Sequence, residues 1–178
     1  MRNVILAVPV YLYMAAVSVH AQQSSSQPKA RPPDSAAQCS MHDAHSRMNE
    51  RGEQGMGFSQ TATTHHFLLK PDGGVIQVEA NSAQDTVNRD NIRMHLIHIA
   101  QAFARGDFDI PMFVHDTVPP GVPEMRRSRE KIRYSFEETL TGGRVVIATT
   151  NKESLAAIHK FLRFQIEEHQ TGDMTTIP

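Results

Sequence analysis

The chain has 178 residues, with 18 Lys plus Arg against 19 Asp plus Glu, and its formal net charge of -1 excludes a general electrostatic grip on nucleic acid. It carries one Cys, no Trp and no apolar run of the ~20 residues that a spanning helix needs. A disulfide-stapled mini-domain, a multidomain enzyme and a polytopic membrane protein are thereby excluded.

At the start of the chain, Arg2 leads into an apolar stretch from Val4 to Val17, and Val19-His20-Ala21 places small or apolar side chains at the usual cleavage offsets. This pattern predicts a signal peptide over residues 1–21 and a periplasmic or secreted mature protein with no membrane span after cleavage. An uncleaved anchor is the alternative, disfavoured because the apolar stretch is short for a span.

Residues 22–59 are rich in Gln, Ser, Pro, Ala, Met and His and poor in large aliphatic side chains. Such a segment buries too little surface to offset its ordering entropy, which predicts a flexible polar leader. Within it, Cys39, Met41, His42 and His45, with Met48 close behind, offer soft donors that suit copper; a solvated tail is the plainer reading. Cys39 has no partner in its own chain, so pairing with another molecule, metal binding or no role all stay open. The glycines of Gly52 to Gly57 do not follow a strand and open a helix, so they are discounted as a phosphate cradle.

One folded domain is expected over residues 60–175, built from an internal repeat. Its first copy, about 61–107, reads as strand Thr64 to Lys70, a turn at Pro71-Asp72-Gly73-Gly74 and strand Val75 to Ala80. A helix follows, announced by Ser82 with Asp85 and stopped at Gly106. The second copy, about 131–173, reads as strand Ile132 to Thr139, a turn at Thr141-Gly142-Gly143, strand Arg144 to Thr149, and a helix from Thr150 with Glu153 to about Gln170. The predicted fold is α+β: a tandem ββα repeat forming a four-stranded antiparallel sheet with two helices packed on one face.

The helices carry the apolar stripes Ile92, Leu96, Ile99, Phe103 and Leu155, Ile158, Leu162, Ile166, which should face the sheet. His95 and His98 fall on the shoulder of the first stripe, where the repeat puts Phe161 and Phe164 in the second. His65 likewise stands where the second copy has Tyr134. One copy is aromatic and the other rich in histidine. His95 and His98 at i and i+3 can aim imidazoles at one point, His65 on the underlying strand could add a third, and His115 or Met112 could return from the loop after the helix. Three imidazoles with or without a thioether suit copper or zinc. The competing reading is histidines packed in a helix seam with their nitrogens satisfied locally.

His66 should point to the opposite sheet face. His159 and His169 are read as surface or helix-end residues without a role, His169 being a favourable cation near a helix C-terminus. The basic run Arg126 to Arg133 is diluted by Glu130 and has no interleaved aromatics, so it reads as a solvated face rather than a polyanion site.

Enzyme signatures are sparse. No Gly-x-Ser-x-Gly, His-Glu-x-x-His, Cys-x-x-Cys or haem-attachment pattern occurs. A metal-assisted hydrolase, with Asp107, Asp109 or Asp116 as base beside a metal-bound water, ranks third.

The stretches Gly57-Phe58 to Thr63-Thr64-His65-His66-Phe67, Ile92-Arg93-Met94-His95-Leu96-Ile97-His98-Ile99-Ala100, Gly106-Asp107-Phe108 to His115 and Pro119-Pro120-Gly121 resemble a family of small exported bacterial proteins of uncharacterised function. The resemblance covers roughly Met48 to Asp173. It implies export and a single domain, and it brings no activity or catalytic residue.

The expectation is therefore an exported transition-metal-binding protein, copper before zinc, using His65, His95, His98 and His115. The alternative is a metal-free interaction module whose mixed face, with His66, Leu68, Gln77 and Glu79, meets a second copy or a periplasmic partner.

Overall fold

Alternating side chains and a glycine-bearing turn fold Thr63–Lys70 (β1) and Gly73–Ala80 (β2) into an antiparallel hairpin, and Ile132–Glu138 (β3) and Gly142–Thr149 (β4) into a second. In this computed structural model, which describes residues 46–178, β2 and β4 join the hairpins into one sheet of order β1-β2-β4-β3. The central row runs Phe67, Ile76, Val145, Phe136. The first three are buried beneath the helices and Phe136 packs against them. The α+β class and the strand-strand-helix repeat are as the residue pattern predicts. No helix among the described residues is long and apolar enough to cross a membrane.

Both long helices are capped later than expected, the first three residues after Ser82 and the second one residue after Thr150. Helix α2, Thr86–Ala104, is capped by Asp85, whose carboxylate accepts from the Asn88 N–H at 3.0 Å. It ends where Gly106, at φ +79°, lets the N–H of Asp107 return to Ala102 O at 2.9 Å. Helix α5, Lys152–His169, is capped by Asn151 rather than Thr150, accepting from the Ser154 N–H at 2.9 Å. Ile92, Leu96, Ile99 and Phe103 of α2, with Ile158, Leu162 and Ile166 of α5, are buried as their spacing requires, while Leu155 at the start of the second stripe is only half-buried.

Two departures matter for function. The expected leader extended to Ser59, yet residues 46–56 form a helix, α1, and Met48 and Phe58 are buried. A few large side chains at helical spacing were enough to anchor this polar segment. The connection after α2, expected as a loop, contains two short helices, α3 at Asp109–His115 and α4 at Val122–Arg127. Phe108, Val122 and Met125 drive this by burying completely. The signal peptide, the first part of the leader and Cys39 to His45 lie outside the described residues.

Each helix covers the other unit's strands. The α5 side chain of Leu162 sits on Gly74 of β2, and buried His159 places Nε2 3.0 Å from both Lys70 O and Gly73 O at the β1–β2 turn. His159 is therefore a structural clamp on that turn, not a surface residue. In the other half, Arg93 of α2 donates to Thr139 O at 2.7 Å and Gly142 O at 3.0 Å, the ends of the β3–β4 turn. His65 consequently lies under the C-terminal end of α5 rather than simply beneath its own unit's helix.

Candidate functional site

A cavity of about 60 Å³ opens between α2, α5, β1 and α3. Sheet and helix side chains, among them Phe67, Val78, Leu96, Phe103 and Phe161, give it an apolar wall. Its polar lining is narrow in type: the imidazoles of His65, His95, His115 and His169 and the carboxamide of Gln165. Met56 of α1 contributes a thioether. No carboxylate lines it.

His65 stacks on His169 with ring centroids 5.5 Å apart, and on Phe58 at 5.9 Å. The edge of His95 meets Phe58 at 5.6 Å, and His115 lies edge-on to His169 at 5.0 Å and to Phe164 at 4.9 Å. His115 Nε2 is 2.8 Å from Gln165 Oε1. That oxygen only accepts, so Nε2 carries the hydrogen and Nδ1 of the neutral ring is a bare lone pair. Nδ1 is buried with no hydrogen-bond partner; the nearest carboxylate oxygen, Glu168 Oε2, is 3.9 Å away. His65 Nε2 is also buried and unpartnered.

Such orphaned nitrogens cost stability, and native interiors keep few of them. Burial also controls charge. Desolvation, helped by repulsion from His66, lowers the His65 pKa to about 4. Desolvation, with smaller contributions from His65 and His98, lowers His95 likewise to about 4. His115 is lowered by burial first and by the nearby Arg51 cation, against the raising effect of its bond to Gln165. These three rings are neutral at pH 7, the form in which imidazole binds metals.

His65, His95 and His115 are thus brought together as expected, from a strand, a helix and the connection. His98 is not: it is exposed on the outer side of α2 and does not line the cavity. The i and i+3 spacing holds the two residues on neighbouring turns, but the stripe that packs leaves only His95 turned inward. Met112 is also directed elsewhere, its sulfur 3.5 Å from the Arg126 guanidinium. Of the candidate bases, Asp107 accepts from the Asp109 N–H at 3.0 Å, Asp109 pairs with Arg126 at 3.4 Å, and none of Asp107, Asp109 and Asp116 lines the cavity.

Two donors were missed. His169 was legible, because at the repeat offset it stands where the first helix has Phe103, a member of the buried stripe. Met56 had no comparable signal, since its segment has the composition of a leader. His66 is engaged at the sheet edge, its Nδ1 2.9 Å from Asp173 Oδ1, while Asp173 Oδ2 accepts the Phe67 N–H at 2.8 Å.

As the side chains stand, no group of three or more His, Cys, Asp or Glu among the described residues is placed to hold one metal ion. What the arrangement offers is a small apolar chamber lined by four imidazoles, two of them with a buried, unpartnered nitrogen at His65 Nε2 and His115 Nδ1, and by one sulfur. Comparison of the chain with protein-family models, with curated proteins and with solved structures returned no match.

Proposed function

We propose that this is an exported protein that binds a transition metal, copper before zinc, in the chamber formed by His65, His95, His115 and His169. The observation that carries the reading is the pair of buried, unpartnered imidazole nitrogens, His65 Nε2 and His115 Nδ1, on the lining of one cavity. An ion that accepts their lone pairs removes the cost of leaving them unmet, and His169 stands in ring contact with both His65 and His115. Second-sphere support is in place at His115, whose other nitrogen is oriented by Gln165.

The test is elemental analysis of the full chain, purified without affinity tags or chelators, beside two variants. The wild type should retain about one metal per chain, the His65→Phe/His169→Phe variant should lose it, and His98→Ala should keep it. A wild type without metal, or a double variant that holds as much, overturns the reading.

A further inference from the structure

Imidazoles serve zinc as well as copper, but structural zinc takes four ligands, and thiolate or carboxylate ligands bring charge that offsets a dication's. Here every nitrogen donor lining the chamber belongs to an imidazole or a carboxamide, and the sulfur donor, Met56, is an uncharged thioether. The formal charges nearby oppose each other: Glu168 reaches to 3.9 Å of His115 Nδ1, while the Arg51 guanidinium, held by Val114 O at 2.8 Å, lies close enough to His115 to disfavour its protonation. No net negative charge greets an incoming ion.

Desolvation makes that decisive. The cost of bringing an ion into a low-dielectric chamber grows with the square of its charge, so a dication pays about four times what a monocation does. Ligand number argues the same way, because no three His, Cys, Asp or Glu among the described residues converge on one point. A soft d10 monocation is satisfied by two imidazoles and a thioether. A polar depression of about 290 Å³ adjoins the chamber and shares His65 and His169 with it. Its remaining lining, including Asn49, Gln60, Thr63 and Thr171, is uncharged, and Gln60 Nε2 there is buried without a partner. The lining itself offers dipoles, with the Asp173 carboxylate bound behind Thr171 at 2.7 Å and the Glu53 carboxylate behind Gln60 at 3.3 Å.

We propose that the chamber selects a monovalent soft cation, Cu(I), with Ag(I) as its redox-inert equivalent, over Zn(II) and Cu(II), and that Met56 supplies the sulfur ligand. The inference rests on the metal-binding reading above.

The full chain is titrated anaerobically with Cu(I) against a chromophoric Cu(I) chelator, and in parallel with Ag(I), Zn(II) and Cu(II). Cys39→Ser is included to remove the thiol outside the described residues, and circular dichroism checks that every variant folds. The expected result is about one Cu(I) or Ag(I) per chain, unchanged by Cys39→Ser, abolished by His65→Phe/His169→Phe, and weakened roughly 10- to 100-fold by Met56→Leu. Zn(II) or Cu(II) held at these histidines as tightly as Cu(I) overturns the charge selection and leaves metal binding standing. Cu(I) binding unaffected by Met56→Leu overturns the sulfur assignment. No metal held by the wild type, or equal binding by the histidine double variant, overturns the metal reading itself.

Discussion

His65 meets His169 with ring centroids 5.5 Å apart, and the repeat-related pair in the other half of the sheet, Tyr134 and Phe103, meets at 5.8 Å. Repeat-related positions of strand and helix thus meet twice, once as two stacked imidazoles and once as two carbocyclic rings edge-on. Packing alone is served by the second form, since Phe103 is buried among Phe108 and Phe161. The imidazole version adds nitrogen lone pairs, of which His65 Nε2 is buried without a partner at a cost in desolvation.

From this pairing follows the behaviour of His65→Phe/His169→Phe. The His65→Phe change alone removes a buried, unpartnered Nε2 and should raise stability by about 1–3 kcal/mol, while the double variant should eliminate metal retention. Urea unfolding of the metal-free proteins measures the first and elemental analysis the second. A destabilised His65→Phe variant would mean that the imidazole is held by interactions stronger than stacking.

Stability of the metal-free protein should depend on pH in a defined window. His65 and His95 have folded pKa values of about 4 against 6.5 unfolded, so on acidification the unfolded chain takes up protons first. The stability their neutral rings permit is complete above pH 6.5 and is lost as the pH falls to about 4, by up to about 3 kcal/mol for each ring. His65→Phe and His95→Phe should each flatten the slope of unfolding free energy against pH between those limits. An unchanged slope in both would place the acid sensitivity elsewhere.

His159→Ala should cost about 2–4 kcal/mol, because it removes a buried ring whose Nε2 reaches both Lys70 O and Gly73 O and takes that contact from the turn. Metal retention should survive, since His159 does not line the chamber. Chemical denaturation and metal content on the same sample separate the two effects.

Gly121 stands at φ +90°, and a Cβ there would run into the Ala157 carbonyl oxygen of α5. Backbone strain and the lost close approach together predict that Gly121→Ala lowers stability by about 2–5 kcal/mol. The midpoint of urea unfolding reports it directly.

Periodicity along the chain was sufficient for the strands, both long helices, the buried stripes and the repeat, because these depend on contacts between near neighbours and on which face of an element is apolar. It also placed His65 on the strand face turned toward the helices and His95 on the shoulder of the helical stripe that faces the sheet. The membership of the chamber was decided by tertiary structure. Sheet order β1-β2-β4-β3 with each helix on the other unit's strands brings His169 of α5 over His65 of β1, 104 positions apart, and the burial of Phe108, Val122 and Met125 folds α3 inward with His115. His98 was lost for a related reason. Spacing along α2 says that His95 and His98 are neighbours, but only packing decides which shoulder of the helix faces the seam and which faces water. Met56 joined because two buried side chains, Met48 and Phe58, hold a polar helix against the domain. Local pattern sets the faces of the elements; which faces meet is set by the layer geometry that buries them together.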